Sequence, residues 1–590
     1  MAGSDRRTVG QLWRNAIEAG YADPAYLTRH GDHWHEVGWS DAAERVDLLA
    51  HGLLARGIRK GDAFGIFAET ALEWVLLDSA LALIGGVTAP VYATSSGKDA
   101  AYVLAHSDAV GVLGHDQEQL DKLADHTAEL PRLDHRLTFA DLDTLAEEGR
   151  IHREAHPTAV ADAEAQVGEE DLYTFIYTSG TTGPPKGCMI RHRNYVEMIR
   201  VTDGLPSYLM RGDLALLYLP LAHNFGRLVS LGGPYCGFTI AFEPDAYAIS
   251  ESLLQIRPTV FPSVPRVFEK IHTSVVSAFA ETSGTKRKLV DWSLAVGRDV
   301  GTRRQEGRAI PLGLALKHRV ADRLVYSKVK SRLGGRLRLP IAGGAPLGKE
   351  VAEFFDSLDI RIMEGYGLTE CTSAATTNHP EAYRYGTVGP KLPGFELRLA
   401  DDGELLIRSE TIFAGYFKDP DATAEVIDDE GWLRSGDIAT ISDDGFVTIT
   451  DRKKDILVTA GGKNIAPQNL ENDLKASHFI SQAVVVGDRR PYPAALVTLD
   501  AGEIERWAEA EGLEGDPAAL AHDPRVVALV QRAVDDVNAQ RSRYEQIKRF
   551  TILPRDFEMA RGEITPTLKL KRRVVLEHFA DEVESLYTEQ

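Results

Sequence analysis

Tyr177-Thr-Ser-Gly-Thr-Thr-Gly-Pro-Pro-Lys-Gly187 is the stretch that decides how this 590-residue chain is interpreted. It follows an apolar run at residues 172–177 and precedes a segment that is compatible with a helix. Its glycines permit positive φ angles and let backbone N–H groups approach an anion, while hydroxyl groups and a lysine add donors. These groups are Gly180, Gly183, Gly187, Thr178, Ser179, Thr181, Thr182 and Lys186. The stretch therefore predicts a loop that binds a polyphosphate.

Two other interpretations of this loop are weaker. A Walker A loop needs a glycine directly before its lysine and a Ser or Thr directly after it, but Pro185 and Gly187 flank Lys186 here. A P-loop kinase or ATPase is therefore not expected. A plain surface turn would explain the glycines and threonines alone, but not eleven residues that include the lysine.

The stretch resembles the signature loop of the adenylate-forming enzymes, a superfamily of acyl-CoA synthetases, peptide-synthetase adenylation domains and luciferases. The resemblance implies that residues 178–183 and Lys186 bind ATP, and that Thr178 belongs to the Mg²⁺ site. Motifs in the superfamily's order continue to Lys569, so the resemblance covers nearly the whole chain.

Composition bounds the interpretation further. The chain is 44% hydrophobic and 26% charged, and its length predicts about two to four domains. A formal net charge of −21 argues against a non-specific nucleic-acid binder, so basic residues must act locally if the substrates are ATP and CoA. Three scattered cysteines favour a reducing cytosol over a disulfide framework or a zinc site.

No targeting or membrane-spanning segment is expected. The first twenty residues lack a continuous apolar region of the kind found in signal peptides. The most apolar span, residues 74–92, is interrupted by Asp78, two glycines and Pro90, which indicates a buried helix followed by a buried strand.

Strands that alternate with helices predict an α/β fold with largely parallel sheets. Strands are expected at residues 63–68, 87–91, 214–219, 259–261, 337–341 and 360–363, and helices at 41–57 and 74–83. Residues 151–168 have no clear period and are predicted to be a polar linker. Because ligands gather beyond the carboxyl ends of parallel strands, the motifs that follow these strands are expected to form one site.

The pattern of predicted secondary structure changes in the last third of the chain. Residues 394–451 alternate short strands with Asp-Asp-Gly turns, which predicts a small β subdomain. Residues 452–590 are expected to form a separate, mobile α+β domain with a hairpin at 483–486 and 494–499 and helices at 527–540 and 574–587. The predicted domains are therefore 1–451 and 452–590.

Residues 272–333 form a long helical insert rich in Arg and Lys. Either these helices are simply solvated at the surface, or they contact a membrane surface or a partner.

The Gly365-Tyr366-Gly-Leu-Thr369-Glu370 motif suits a nucleotide. Tyr366 is placed to stack on a purine, Thr369 to donate to a phosphate and Glu370 to hold Mg²⁺ through carboxylate oxygens. The small residues Gly344 and Ala345 would let the adenine ring lie against the backbone.

Further roles come from the resemblance to the superfamily. It implies that Asp437 and Arg452 contact the ribose hydroxyls, that His223 lies in the wall of the acyl pocket, and that Lys454 is the hinge. Long-chain members usually carry an acid where Gly226 stands, which leaves the pocket shape open. The glycine loop of the pantetheine channel matches Gly461, Gly462 and Lys463.

The motif at residues 563–573 resembles the lysine motif of long-chain acyl-CoA synthetases. The match assigns to Lys569 the contact with the acyl carboxylate and the α-phosphate. Lys571 is the competing residue, because the register of the motif alone does not separate it from Lys569. A basic, solvated tail without a catalytic role is the third interpretation of this segment.

The resemblance implies a long-chain fatty acid–CoA ligase with ATP, Mg²⁺ and CoA, which acts as a monomer or homodimer in the cytoplasm. A fatty acyl-AMP ligase or a medium-chain or aryl acid–CoA ligase of the same fold is the alternative. A non-catalytic nucleotide-binding or acyl-CoA-binding protein is the alternative from another class, and an intact Lys569 argues against it.

Overall fold

The computed structural model describes residues 6–31, 33–178, 184–461, 463–565 and 569–588. The strands are β1 (Tyr26–His30), β2 (His33–Val37), β3 (Ala63–Ala68), β4 (Val87–Tyr92), β5 (Gly111–Gly114), β6 (His135–Thr138), β7 (Leu172–Thr178), β8 (Lys186–Arg191), β9 (Leu214–Leu217), β10 (Thr239–Phe242), β11 (Val260–Ser263), β12 (Leu339–Ala342), β13 (Met363–Tyr366), β14 (Thr376–Thr377), β15 (Glu396–Leu399), β16 (Glu404–Arg408), β17 (Leu433–Ile441), β18 (Val447–Arg452), β19 (Leu457–Val458), β20 (Asn464–Ile465), β21 (Ile480–Val486), β22 (Ala494–Leu499) and β23 (Arg549–Ile552).

The helices are α1 (Val9–Glu18), α2 (Trp39–Ala55), α3 (Leu72–Ile84), α4 (Gly97–His106), α5 (Gln117–Asp121), α6 (Leu142–Ala155), α7 (Ala159–Ala165), α8 (His192–Arg200), α9 (Asn224–Cys236), α10 (Ile249–Ile256), α11 (Pro265–Ala280), α12 (Gly284–Gln305), α13 (Leu312–Ala321), α14 (Ser327–Arg332), α15 (Lys349–Asp356), α16 (Pro420–Val426), α17 (Pro467–Lys475), α18 (Ala501–Ala510), α19 (Pro517–Leu520), α20 (Pro524–Ala539), α21 (Arg572–His578) and α22 (Ala580–Ser585).

Two large sheets dominate the molecule. One has the order β14-β13-β12-β11-β9-β10-β1-β2 and is parallel except for its two edge pairs. The other has the order β6-β5-β3-β4-β7-β8 and is parallel except for β7 with β8. The predicted α/β fold class is thus confirmed.

The apolar sequences of the inner elements follow from burial on every side. All six residues of β3, Ala-Phe-Gly-Ile-Phe-Ala, are buried, as parallel strands covered on both faces must be. Helix α3 is buried along nearly its whole length, and a helix that is apolar all round belongs in a protein interior. It contributes to one apolar cluster with residues of both sheets.

Two predictions about local structure are wrong. Most of the expected linker at residues 151–168 is helical, in α6 and α7. Within this segment no residue of α6 is buried, and Val160 is the buried residue of α7. Helices with so few buried apolar positions leave a weak apolar period. The segment after Pro185 begins as strand β8, and helix α8 follows it.

The remaining predicted elements are present, but the strand predicted at 360–363 begins at Met363, and the helix predicted at 574–587 is divided into α21 and α22. Strands β15–β18 form a four-stranded antiparallel sheet, and β21–β22 form the expected hairpin, which β23 extends in parallel. The long insert is helical, from α11 to α14. Within the described part of the chain, no helix is both long and apolar enough to cross a bilayer.

Candidate active site

A single cavity of about 2590 Å³ brings most of the predicted residues together. It is lined by the ends of β7, β12 and β13, by the start of α9, and by residues on both sides of Arg452. Ligand pockets for one small molecule are typically about 300–1,000 Å³, so this cavity has room for more than one substrate. The strand ends that the sequence singled out do converge.

Tyr366, Asp437 and Arg452 form a connected group. Tyr366 ends strand β13, and its hydroxyl donates to Asp437 Oδ2 at 2.5 Å. Asp437 on β17 lies directly opposite Arg452 on β18, with Arg452 Nε 3.4 Å from Asp437 Oδ1. Burial raises the pKa of Asp437, although the charge of Arg452 opposes the shift. The arrangement presents a ring, a carboxylate and a cation side by side, which suits a nucleoside.

Thr369 and Glu370 follow on a short 3₁₀ helix. The amide of Asn224 donates to the Thr369 carbonyl oxygen at 3.3 Å, and the hydroxyl of Tyr416 donates to Glu370 Oε1 at 2.7 Å. The turn between Tyr366 and Thr369 is possible because of Gly367, where a Cβ atom would lie 1.8 Å from the Ser373 carbonyl oxygen. Thr369 and Glu370 both line the cavity.

Thr178 and Lys186 are neighbours across β7 and β8. The Lys186 ammonium lies 3.3 Å from Asp419 Oδ2 and 5.1 Å from the centroid of the Tyr416 ring. A lysine that pairs with an exposed carboxylate is released at little cost when a more highly charged phosphate arrives. Of the predicted loop, Ser179, Gly180, Thr181, Thr182 and Gly183 lie outside the described residues, as does Gly462.

Gly344 and Ala345, the residues expected beside the adenine ring, follow strand β12 and line the cavity. Gly344 has φ +82°, a conformation that favours glycine. Nearby, Glu364 is a buried carboxyl group that the sequence did not single out. Burial raises its pKa to about 8, although the Leu347 N–H donates to it, so it is mostly neutral at pH 7.

His223 caps helix α9 and faces the cavity. Its Nδ1 accepts a hydrogen bond from the Phe225 N–H at 3.2 Å. Burial, together with the charge of Lys569, lowers the pKa of His223 to about 3, so the ring is neutral. At Gly226 a Cβ atom would lie 2.6 Å from the Pro220 carbonyl oxygen. The backbone therefore leaves no room for the acid that long-chain members usually carry there.

Lys569 reaches the same group of residues from the C-terminal segment. Burial lowers its pKa to about 8; Arg452 acts in the same direction, and Asp437 and Glu370 oppose it. Its backbone N–H donates to the Thr565 hydroxyl at 2.9 Å, and its carbonyl oxygen accepts from the Thr565 N–H at 2.7 Å. Lys571 also lines the cavity.

One predicted feature lies elsewhere. Gly461 and Lys463 are not among the described residues that line the cavity, and the Lys463 ammonium lies over the Tyr544 ring instead, 5.8 Å from its centroid. Lys454, by contrast, lines the cavity; it is exposed and lies just after β18, next to Lys453, whose ammonium is 3.0 Å from Glu404.

Several functional neighbours escaped the sequence analysis. Arg227, four residues after His223, is fully buried and forms an ion pair with Asp78 on α3, so it fixes the start of α9. A lone aspartate in an apolar helix was the available signal. Asn224, Tyr416 and Asp419 carried no signal, because single polar residues at ordinary positions resemble surface residues.

Comparison with known proteins identifies the family. The AMP-binding enzyme family matches residues 13–417, and the AMP-binding enzyme C-terminal domain matches residues 454–590. The chain belongs to this AMP-binding, adenylate-forming superfamily.

Individual relatives are more specific. The chain is 38% identical over 571 residues to the long-chain-fatty-acid–CoA ligase FadD15 of Mycobacterium bovis, covering 94% of this chain and 93% of that protein. It is 31% identical to the long-chain-fatty-acid–CoA ligase ACSBG2 of Xenopus laevis, covering 98% and 84%. Among solved structures, the adenylation domain of a carboxylate reductase from Mycobacterium chelonae has a TM-score of 0.76 at 23% identity, covering 99% and 91%.

Proposed function

We propose that this enzyme is a long-chain fatty acid–CoA ligase, which converts ATP, a fatty acid and CoA into acyl-CoA, AMP and pyrophosphate through an acyl adenylate. The relatives that match nearly the whole chain and carry this name support the proposal. The observation that carries it is the shape of the cavity, which continues from the nucleotide motifs into an apolar wall.

That wall is built by α8, α9 and the turn between α8 and β9. Its side chains are Met198, Ile199, Val201, Leu205, Leu209, Leu228 and Val229. His223, neutral because of its low pKa, lines the same cavity as this wall and Lys569. A neutral ring next to an apolar chain avoids the cost of burying an unpaired charge. The wall suits an acyl chain, and the polar end suits its carboxylate.

In the first half-reaction the fatty acid carboxylate oxygen attacks the α-phosphorus of ATP, and the bond to pyrophosphate breaks. Lys569 would bind the carboxylate and the α-phosphate, and Lys186 the outer phosphates. Two anions must meet, so positioned cations that stabilise the developing charge are the main catalytic need. Tyr366 and Ala345 would hold the adenine, and Asp437 with Arg452 the ribose.

The residues present also suit Mg²⁺. Tyr416 donates to only one oxygen of the Glu370 carboxylate, and Mg²⁺ is typically bound by one or two carboxylates together with substrate phosphates. Glu370 and Thr178 would hold the ion, which supplies charge neutralisation at the phosphates.

In the second half-reaction the CoA thiol attacks the adenylate carbonyl, and AMP leaves. Lys569 would occupy the space near that carbonyl, so we propose that residues 452–590 turn about Lys454 relative to residues 1–451. Gly461 and Lys463, which lie away from the cavity, would then line the thiol channel. Movements of this kind set the turnover of many enzymes.

The direct test is mass spectrometry of the purified protein with MgATP and palmitate, with and without CoA. Palmitoyl-CoA and AMP are expected. Palmitoyl adenylate that CoA does not discharge would instead identify an acyl-AMP ligase. Activity only with shorter or aromatic acids would overturn the long-chain assignment, and ATP binding without pyrophosphate would identify a non-catalytic protein.

The lysine assignment is tested by Lys569→Ala, with Lys571→Ala as the matched control. Loss of one positioned charge should lower the rate of adenylate formation by about 10²–10³-fold. Thioester formation from supplied palmitoyl adenylate should persist, and Lys571→Ala should adenylate normally. Loss in Lys571→Ala alone would move the role to that lysine.

The hinge assignment is tested by Lys454→Pro, with Lys454→Ala as the control that removes the side chain but keeps backbone freedom. Proline fixes φ, so it should impair thioester formation while sparing adenylation. A normal second step in Lys454→Pro would place the hinge elsewhere.

A further inference from the structure

Four apolar side chains form an exposed stripe along α13 and the π-helical turn after it (Asp322–Tyr326). Leu312, Leu316, Val320 and Leu324 follow one another at intervals of four residues, which places them on one side of a helix. Their exposed fractions are 91%, 64%, 43% and 41%. We call these four residues the α13 stripe. Contiguous exposed apolar patches of this kind mark interaction surfaces.

The stripe belongs to a well-packed element. On the opposite side of the helix, Ala321 and Tyr326 are fully buried, and the Tyr326 hydroxyl donates to the Ser293 carbonyl oxygen on α12 at 2.5 Å. The His318 ring lies 5.4 Å from the Tyr326 ring. The exposure of the leucines is therefore a property of the folded surface.

The surroundings of the stripe are strongly basic. Residues 284–336 carry fourteen Lys and Arg against four Asp and Glu, in a chain whose net charge is −21. Lys317, Arg319, Arg323 and Lys328 are exposed beside the stripe, and none of them forms an ion pair with another residue of the described ranges. These cations are available to an external anion, and they reverse the sign of the global charge locally.

We propose that the α13 stripe docks on a membrane surface that contains anionic lipids. The leucines would enter the boundary between headgroups and acyl chains, and the neighbouring cations would contact lipid phosphates. Trp292 on α12 is also exposed, and it adjoins Ser293, which Tyr326 contacts. Tryptophan is enriched at membrane–water interfaces, so it suits the edge of such a surface.

Charge complementarity selects this occupant. A second copy of the chain would bring one basic surface against another, which is unfavourable. An acidic protein would match the charge but would also need an apolar groove for four side chains. An anionic bilayer supplies both apolar depth and negative charge. Membrane docking does not depend on the identity of the acyl substrate. The docking proposal can therefore fail while the proposed function holds, and the proposed function can fail while the docking proposal holds.

The test is flotation of the purified full-length protein with vesicles of phosphatidylcholine alone or with about 30% phosphatidylglycerol, an anionic lipid. Wild-type protein should bind the anionic vesicles and release them at high salt. The double variant Leu312→Asp/Leu316→Asp should bind about tenfold or more weakly, because two inserted side chains are lost. Leu399→Asp is the matched control, since Leu399 on β15 is 40% exposed and lies outside the stripe.

Two further measurements complete the test. Lys317→Glu/Arg323→Glu should weaken binding to anionic vesicles selectively, and all variants should keep the wild-type thermal midpoint. No binding by the wild type, equal binding by all variants, or equal loss in Leu399→Asp would overturn the proposal. So would a wild-type dimer that Leu312→Asp/Leu316→Asp converts to a monomer in light scattering, because the stripe would then join two copies.

Discussion

Two arginines at internal boundaries of the molecule make opposite kinds of contact. Arg227 lies where the two large sheets meet, fully buried, with its guanidinium carbon 4.5 Å from the centroid of the Tyr173 ring. Its nitrogens donate to Asp78 and, at 2.6 Å, to the Thr174 hydroxyl. Arg266, on α11, is only partly buried and donates across to the C-terminal segment, to the Ser481 carbonyl oxygen at 2.7 Å.

The apolar contacts around the two residues differ in the same way. One apolar cluster contains residues of both large sheets, including α3. In the described part of the chain, no apolar cluster joins residues before 453 to residues after 456. The C-terminal segment is held instead by polar pairs such as Ser277 with Glu503 at 2.6 Å and Lys475 with Glu269 at 3.4 Å.

This difference teaches how the site divides its work. The buried ion pair fixes the start of α9, and with it His223, to α3, because breaking such a pair leaves an uncompensated charge in the interior. The polar boundary can open without exposing apolar surface, which is typical of contacts between units that move. On the proposed function, the substrate wall would therefore be rigid, whereas Lys569 would arrive on an element that can leave.

Asp78→Ala should give the largest effect, because it strands Arg227 without its counter-charge. We expect a loss of about 3–5 kcal/mol in the free energy of unfolding, seen as a lower midpoint in calorimetry. The control is Glu396→Ala, which removes an exposed pair with Arg408 at 2.7 Å and should cost less than about 1 kcal/mol. Equal losses in the free energy of unfolding would show that the buried ion pair between the sheets contributes no more to stability than an exposed pair at the surface.

A double variant of the same ion pair sharpens this result. Asp78→Leu/Arg227→Met removes both charges and should recover much of the lost stability, since apolar replacements of buried ion pairs are often neutral or stabilising. Failure to recover would mean that shape, and not charge, dominates at this position.

The next effect is on pH dependence, and it concerns Lys569 in the C-terminal segment. The pKa of Lys569 is about 8, so the ammonium is charged below pH 8 and loses its charge as the pH rises through that value. Adenylate formation should therefore fall by about tenfold per pH unit well above pH 8. The measurement is pyrophosphate release without CoA between about pH 6 and pH 10, which avoids titration of the thiol.

The control for this pH profile is Lys569→Arg, whose guanidinium stays charged throughout the range and should flatten the fall. A wild-type rate that stays constant to about pH 9.5 would contradict the lowered pKa of Lys569 and the burial that causes it.

The sequence predicted the frame of the molecule because its signals are local. Strand β3 is a continuous apolar run, helix α3 is apolar apart from Glu73, Asp78 and Ser79, and the Asp-Asp-Gly turns between the β15–β18 strands favour hairpins. Residues 151–168 were misassigned because their helical parts bury little apolar surface: Val160 is the buried residue of α7, and none of residues 151–155 is buried.

The motifs also indicated which residues would lie together, but not which contacts those residues would make. Tyr366, Asp437 and Arg452 do form one group, and their hydrogen bonds depend on the register of β17 with β18, which is set by pairing between strands. The link between Arg227 and Asp78 spans 149 residues and has no local signature. The lowered pKa of Lys569 could not be predicted either, since it arises from burial between two segments of the chain.

The smallest expected effect is the most informative about the comparison. Arg266→Ala removes two charged hydrogen bonds to Ser481, one to its carbonyl oxygen at 2.7 Å and one to its hydroxyl at 2.5 Å, which should favour the open arrangement by about 1.5–3 kcal/mol for each bond that no other contact replaces. With Lys569 less often in place, adenylate formation should fall about five- to tenfold, because the remaining polar pairs offset part of the loss.

The open arrangement also exposes Lys569 to water, which raises its pKa, so the fall in rate at high pH should begin at a higher pH than in the wild type. Thioester formation from supplied acyl adenylate should stay at the wild-type rate or increase, and the thermal midpoint should change far less than in Asp78→Ala. If instead Arg266→Ala unfolds the protein as strongly as Asp78→Ala, the boundary at Arg266 is part of the rigid frame and the C-terminal segment does not move as a unit.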